Sequence, residues 1–335
     1  VIDNHGDGGI DGEGDGDGDG DGAGWAATRR WAEEALAPGE RIARTTALKG
    51  GWTSRMRRLD IERPDGAPLY ALVLRSFVKP FYRRHAPAML AREAGVLRLL
   101  EHSRVPAPHL VALDADGARC DHPSLAMTHL PGTVRVAEDD DVAQRTRLLA
   151  TQLAAIHALD VDESERPRAW QAWTTPDQVH TPQHTTRPEL WRRAIDEIRR
   201  EAPPHRPTFL HRDFHPGNVL FTGTGPTLTV TGVLDWVETS WGPRDLDVAH
   251  CATTLALLHG PAAALAFTDH YRSTGALLGN DRDHLYWRLL DTLAFAPDAP
   301  KVATPWRELG RTDLTPALLT TRLEDYVQAL LDQHT

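Results

Sequence analysis

Residues 211–218 read His211-Arg212-Asp213-Phe214-His215-Pro216-Gly217-Asn218, and they fall between a helix-like stretch and a pair of strand-like ones. Phosphoryl transfer asks little covalent chemistry of a protein. It asks for a carboxylate that positions the attacking group, for metal ligands and for stabilisation of charge. An Asp with an Asn five residues on meets the first two needs. Asp213 can take a proton from an attacking hydroxyl, and Asn218 can turn its amide oxygen toward magnesium. The plainer alternative is a polar loop whose Asn caps a turn.

Downstream, Val233-Leu234-Asp235-Trp236 delivers a carboxylate at the end of an apolar strand, 17 residues after Asn218 and joined to it by a hairpin. Asp235 can share the same metal; taken alone it would be an ordinary strand-end Asp in a turn. Asp247, twelve residues further and ahead of an apolar helix, reads first as a helix N-cap, a structural residue that braces the loop.

Upstream, an amphipathic helix over 25–36 ends before Pro38-Gly39. Strand-like alternation follows at 43–48, 55–62 and 69–77, with Lys49-Gly50-Gly51-Trp52-Thr53-Ser54 in the first gap and Pro64-Asp65-Gly66-Ala67-Pro68 in the second. Two successive hairpins predict a small antiparallel sheet. Ala71, Val73 and Arg75 share one face of the third strand, and Pro87 opens a helix to about 102 whose stripe carries Leu90, Glu93, Leu97 and Leu100. An unpaired carboxylate on an apolar helix face would be costly, so Glu93 is expected to meet Arg75. A cation oriented in this way can grip nucleotide phosphates. The alternatives are a solvated Arg75, with Lys79 as the substitute cation. Gly50 and Gly51 would let backbone approach phosphates, or would simply form a hairpin turn.

Short strands are expected near 109–114 and 125–129, before Leu130-Pro131-Gly132, a break suited to a hinge. Beyond it the pattern predicts a helix over 142–159, an irregular insertion over 160–186, a helix over 188–201, and strands at 217–221 and 228–234. From Asp247 onward it is mostly helical. The expected organisation is an acidic tail (1–24), an N-lobe (25–132) that binds nucleotide, and a helical C-lobe (133–335) that carries the catalytic loop and acceptor site.

Composition narrows the classes. Eight of the 47 acidic side chains and none of the 37 basic ones fall within residues 1–24, so the rest carries 37 against 39, a balance of −2. The net charge of −10 therefore belongs to the tail. Its Gly/Asp-rich run is too poor in apolar residues to offset the entropy of ordering and is expected to be disordered. It also lacks the Glu that closes a calcium-binding loop. Only three of the 37 basic residues are lysines, and no basic block with interleaved aromatics appears, which argues against nucleic acid as a partner. No apolar run reaches the roughly 20 residues that span a bilayer. Cys120 and Cys251 fit neither a disulfide framework nor a zinc site, and a cytoplasmic location is expected.

In order over residues 40–300 stand LKGG, VLR, REAGVLRLL, VPAP, MTHLPG, LATQLAAIHALD, HRDFHPGNVLF, VLDW and DLDVAH. This series resembles the aminoglycoside phosphotransferase and choline kinase family, relatives of the protein kinases. The resemblance implies an α+β, two-lobed protein-kinase-like fold, with a small antiparallel-sheet N-lobe and a larger, mainly helical C-lobe. It implies Asp213 as catalytic base, Asn218 and Asp235 as magnesium ligands, and Met127, Thr128 and His129 as hinge backbone for adenine. ATP is the implied nucleotide, with GTP as alternative, and Mg2+ the implied metal. His211 and His215 would shape the loop without reacting. The sequence departs from the family pattern at Arg75, where lysine is usual, replacing a point charge by a planar fork. The segment after Asp235 is short and holds no evident phosphosite, so a protein substrate is not expected.

The leading expectation is an ATP-dependent O-phosphotransferase acting on a small-molecule hydroxyl. An aminoglycoside-type antibiotic is one acceptor, which would make the chain a resistance enzyme. A metabolic kinase for a sugar, homoserine-like or choline-like alcohol is the runner-up. A catalytically weak, kinase-like binding module is a third reading, against which the presence of Asp213, Asn218 and Asp235 argues. A polycationic acceptor would want carboxylates such as Glu238, Asp245, Asp160 and Glu163, whereas Trp170, Trp173, Trp236 and Trp241 would line a flatter, more apolar site. A monomer or homodimer is expected.

Overall fold

The computed structural model describes residues 24–48, 53–296 and 299–333. Residues 1–23 of the acidic tail and the Gly50-Gly51 turn lie outside the described residues.

The chain divides into two units. One runs up to Glu101 and adds Pro108–His129; the other holds His102–Ala107 and everything from Leu130. In the first unit, α1 (Ala26–Glu34) precedes β1 (Arg41–Leu48), β2 (Arg55–Glu62) and β3 (Pro68–Ser76). The short α2 (Pro80–Arg83) and then α3 (Ala86–Leu100) follow, before β4 (Leu110–Asp114) and β5 (Ser124–Thr128). All neighbours in the five-stranded sheet β1-β2-β3-β5-β4 are antiparallel. The turn between β2 and β3 closes as expected, with Gly66 at φ +83° and its N–H donating to Arg63 O.

The period of two sorts the faces. Leu72 and Leu74 of β3 join Leu59, Ile61 and Ile42 in a core with Trp25 and Trp31 of the α1 region. Ala71, Val73 and Arg75 therefore face the other way, and Arg75 meets Glu93 of α3 there. Thr28 of α1 is tied to the connection between β4 and β5 by reciprocal bonds: its N–H and hydroxyl donate to Asp121 Oδ2, and Asp121 N–H donates to Thr28 Oγ1.

The second unit opens with β6 (Thr133–Val134) and α4 (Val142–His157), then an irregular stretch and α5 (Pro188–Ile198). Next come β7 (Pro207–Leu210), the motif loop, β8 (Val219–Thr222), β9 (Thr229–Val233) and β10 (Ser240–Pro243). The helices α6 (Arg244–His259), α7 (Pro261–Ser273), α8 (Asp281–Ala294), α9 (Thr304–Glu308) and α10 (Pro316–Asp332) complete the chain. Strands β6-β8-β9 form one small sheet and β10-β7 another. Helix α6 is buried from Asp245 to Leu258, which makes it the axis of this unit. No helix among the described residues is long and apolar enough to cross a membrane.

Three local expectations are corrected. Asp247 is not an N-cap, because α6 begins at Arg244, directly after Pro243 leaves β10. The strand expected from Gly217 starts only at Val219, since Pro216–Asn218 wind into a 3₁₀ turn with His215 Nδ1 accepting from Gly217 N–H. Strands β7 and β10 were not expected; at four residues each, and with Gly-Pro closing β10, they carry no alternation to read.

Gly132, in the break before β6, has φ +106°, and a Cβ there would lie 2.5 Å from Thr231 Oγ1 and 2.9 Å from Phe221 O. Backbone on one side leaves no room to yield, so Gly132→Ala should destabilise the protein by about 1–3 kcal/mol. Thermal melting checks this; an unchanged melting temperature would contradict the packing.

Candidate active site

The motif loop is fastened from behind. Asp247, wholly buried on α6, accepts the N–H of His211 at 2.7 Å on Oδ2 and that of Arg212 at 2.9 Å on Oδ1. His157 of α4 meets Asp247 Oδ2 through Nε2 at 3.2 Å and Tyr271 through Nδ1 at 2.7 Å. Burial alone would raise the Asp247 carboxyl. The hydrogen bond and charge of His157, with Arg212 nearby, outweigh it and hold the carboxyl below its ordinary value.

His211 stitches the loop to the strand end that follows β9. Its Nδ1 accepts from Asp213 N–H, so by the hydrogen-bond network its Nε2 carries the proton, donated to Leu234 O at 2.9 Å. Leu234 N–H in turn donates to Asn218 O at 2.8 Å. Burial keeps His211 below the usual imidazole range despite three nearby carboxylates, consistent with a neutral ring. Trp236, fully buried, packs its ring tilted against His211 with centroids 4.4 Å apart and donates its Nε1–H to Val233 O.

Among the described residues, two that are not glycine have positive φ: Arg212 at 71° and Asp235 at 61°. They stand immediately before Asp213 and immediately after Leu234. Left-handed backbone costs such residues about 1–3 kcal/mol each and persists only where the surroundings over-determine it. Here the Asp247 clamp and the His211–Leu234–Asn218 stitches do so.

The Asp213 side chain is partly exposed and held at both oxygens. Asn218 Nδ2 donates to Oδ2 at 3.0 Å and to the Asp213 backbone O at 2.9 Å. His250 Nε2 lies 3.2 Å from Oδ1, and His215 Nε2 3.7 Å from the same atom. The Asp213, His215 and His250 ligand atoms lie within 4.8 Å of one another, a spacing a metal could use. The protons argue otherwise. His215 Nδ1 accepts from Gly217 N–H at 3.0 Å, so its Nε2 bears hydrogen, and His250 lies between two carboxylates. Both rings thus present donors to Asp213 and not the lone pairs a metal needs.

In the first unit, Arg75 NH1 lies 3.2 Å from Glu93 Oε2, with both side chains buried; Lys79 is exposed at the start of α2. The N–H groups of Thr128 and His129 donate to His109 O and Ala71 O within the sheet, and Met127 is buried in β5. An adenine held along 127–129 would therefore not be met by the N–H of Thr128 or His129.

The structure redistributes the expected acceptor residues. Glu238 is bonded to Arg168 at 2.5 Å, Glu163 lies 3.9 Å from Arg166, and Asp245 is buried, accepting from Gly279 N–H beside His284. Asp160 is exposed. Trp236 is core and cannot line a site. Trp173 lies 4.2 Å beneath the Arg212 guanidinium and 4.8 Å from the His250 ring. Sequence reasoning passed over His250 and Asp291. The readable signals were the three-residue spacing of His250 from Asp247, which puts both on one helix face, and a lone Asp inside the apolar run Leu289-Leu290-Asp291-Thr292-Leu293.

A family model described as the phosphotransferase enzyme family (APH) matches residues 44–288. No curated protein sequence matches. Among solved structures, a thermostable mutant of aminoglycoside phosphotransferase APH(4)-Ia in ternary complex with ADP and hygromycin B is 17% identical, covering 90% of this chain and 98% of its own, with TM-score 0.58. The GDP and kanamycin complex of APH(2")-IIIa is 14% identical over 92% and 98%, with TM-score 0.59. The macrolide 2'-phosphotransferase MphH from Brachybacterium faecium is 17% identical over 83% and 91%, with TM-score 0.51. At these identities the likeness establishes a two-lobed, protein-kinase-like fold.

The Asp247 clamp predicts a pH dependence of stability. A carboxyl depressed in the folded state stabilises above its unfolded value of about 4, and that contribution is lost as pH falls through the lower folded value. Asp247→Asn should cost about 2 kcal/mol at neutral pH and flatten the acid limb below pH ~4. Denaturant unfolding at several pH values checks both; a parallel acid limb in the mutant would contradict the assignment.

Proposed function

We propose that this chain, which belongs to the phosphotransferase enzyme family, moves the γ-phosphoryl group of ATP onto a hydroxyl of a small molecule. The observation that carries this reading is the Asp213 carboxylate, fixed on one oxygen by His250 and on the other by Asn218, between two strained backbone positions. Asp213 accepts the acceptor's proton as the hydroxyl oxygen bonds to phosphorus. The bond to the β–γ bridging oxygen breaks, and the nucleoside diphosphate leaves.

Asn218 and Asp235 are the magnesium ligands in this reading. An amide oxygen and a carboxylate are hard donors of the kind magnesium takes, and with Nδ2 committed to Asp213, Asn218 has Oδ1 available. Magnesium bound there would neutralise phosphate charge. Arg75, oriented by Glu93, grips the nucleotide phosphates as a planar fork. Gly50 and Gly51 are assigned to the phosphates, and Met127, Thr128 and His129 to adenine, on sequence resemblance. GTP is the alternative nucleotide, GDP being bound in one solved relative.

Aminoglycoside-type antibiotics remain candidate acceptors. The engagement of Glu238 and Asp245 with cationic or polar neighbours favours, beside them, a less cationic alcohol, a macrolide or a metabolic one. The direct test incubates the purified chain with MgATP or MgGTP and a panel spanning kanamycin, hygromycin B, a macrolide, choline, homoserine and simple sugars, and reads products by mass. At least one acceptor should gain a phosphoryl group; no product, together with no nucleotide cleavage above background, would leave a binding module as the better reading.

Asp213→Asn should lower turnover roughly 100- to 10,000-fold with nucleotide KM near normal, as expected for loss of a general base. Asp235→Ala should weaken magnesium-nucleotide binding more than Asn218→Ala, because it removes a full charge. Unchanged magnesium titrations in both variants would remove them from the metal site. Arg75→Ala should raise nucleotide KM about tenfold or more and Lys79→Ala should not, since charge-assisted phosphate bonds are worth about 1.5–3 kcal/mol. The reverse pattern would make Lys79 the phosphate cation.

A further inference from the structure

Asp213 has a second support that the motif does not contain. His250 lies on α6, three residues after Asp247, so the helix face that fastens the loop's backbone at His211 and Arg212 also meets its side chain at Asp213. His250 is buried between two carboxylates: Nε2 is 3.2 Å from Asp213 Oδ1 and Nδ1 is 3.2 Å from Asp291 Oδ1. Asp291 comes from α8, is itself buried, and has no hydrogen-bond partner on Oδ2. A buried carboxylate with one oxygen unpartnered is costly unless a charge faces it, and His250 is the group its other oxygen meets. Around it stand the Trp173 ring at 4.8 Å with the Arg212 guanidinium over its face, Phe295 at 5.6 Å and the His215 ring at 5.8 Å; the Arg212 charge also acts on Asp291 and Asp213, and the imidazole is buried.

Resting on the reading of Asp213 as base, we propose that His250, doubly hydrogen-bonded between Asp213 and Asp291, is a positioning residue that fixes the rotation of the Asp213 carboxylate. With Oδ1 engaged by His250 and one lone pair of Oδ2 by Asn218, the remaining lone pairs have defined directions, and the acceptor hydroxyl is met at one orientation. A singly protonated imidazole has one N–H and cannot donate to both carboxylates; an imidazolium can. The electrostatics agree. Burial lowers His250, but Asp291 and Asp213 more than offset it and raise the ring to about 9, while burial pushes the neighbouring His215 down to about 4. His250 is therefore the charged member of the pair, and Asp291 acts through it.

The test uses the full chain with MgATP and water as acceptor, reading ADP release, together with nitrogen-detected NMR of the histidine rings. In the wild-type protein His250 should show both ring nitrogens protonated at pH 7.5; a neutral His250 overturns the proposal. His250→Gln and Asp291→Asn should each lower kcat about 10- to 100-fold, the scale of a misplaced reacting group, with KM for ATP within about twofold of wild type. Asp291→Asn should in addition leave His250 neutral at pH 7.5. Wild-type kcat in Asp291→Asn, or KM rising while kcat holds, overturns it. Should His250→Gln fail to fold, Asp291→Asn and the wild-type NMR signature decide. Asp213→Asn separates the two ideas. If that variant is inactive while Asp291→Asn is fully active, the base stands and the positioning role falls. If Asp213→Asn turns over normally, the reading of Asp213 as base falls.

Discussion

One buried carboxylate holds the second unit's chemistry in place. Asp247 binds two consecutive backbone amides, those of His211 and Arg212, and two amides aimed at one carboxylate leave the loop almost no freedom about that point. The left-handed turn at Arg212 is a consequence: the chain must reverse there if both amides are to reach Asp247 and Asp213 is still to emerge beyond them. His157, with Tyr271 behind it, keeps the clamp charged in a setting where burial alone would favour a neutral acid.

From that point the site is built by short relays of hydrogen bonds. His211 passes the constraint to Leu234, Leu234 to Asn218, and Asn218 back to Asp213. The cycle brings the two proposed metal ligands onto neighbouring backbone, since Asp235 follows Leu234 directly. It also shows how the two histidines expected to shape the loop do so: the His211 ring bridges backbone groups, and His215 Nδ1 caps the 3₁₀ turn. The electrostatic partner of Asp213 is a third histidine, delivered by a helix the motif does not include.

The first unit shows the same economy with a different pair. Arg75 and Glu93 are both buried, and a buried ion pair is weak evidence for stability because desolvation offsets much of the attraction. Hydrophobic residues at both positions would pack at least as well. The pair joins β3 to α3 and fixes the direction of the guanidinium, which is the property the proposed phosphate role draws on.

The amino-acid sequence by itself determined the features that rest on local periodicity and turn chemistry. The alternation of β3 put Arg75 opposite the Leu72–Leu74 face, the helical stripe put Glu93 among leucines, and Asp65-Gly66 closed the hairpin. The Asp213–Asn218 spacing was legible because one short loop sets it, and Asp247 was legible as a structural residue bracing that loop, though as a helix N-cap and not as the clamp on two amides. What only the tertiary structure decided has no period to betray it. Strands β7 and β10 are too short to alternate, and their pairing shifted the start of α6 so that Asp247 lies within the helix instead of capping it. The contacts of His250 join residues 213, 250 and 291 from a loop and two helices, and those of Trp173 join an irregular stretch to Arg212 and His250. Of the carboxylates that looked open to a cation, Glu238 and Asp245 proved engaged, by Arg168 and by Gly279 with His284, because an acid's neighbours are set by which helices and loops pack together, and spacing along the chain does not carry that information.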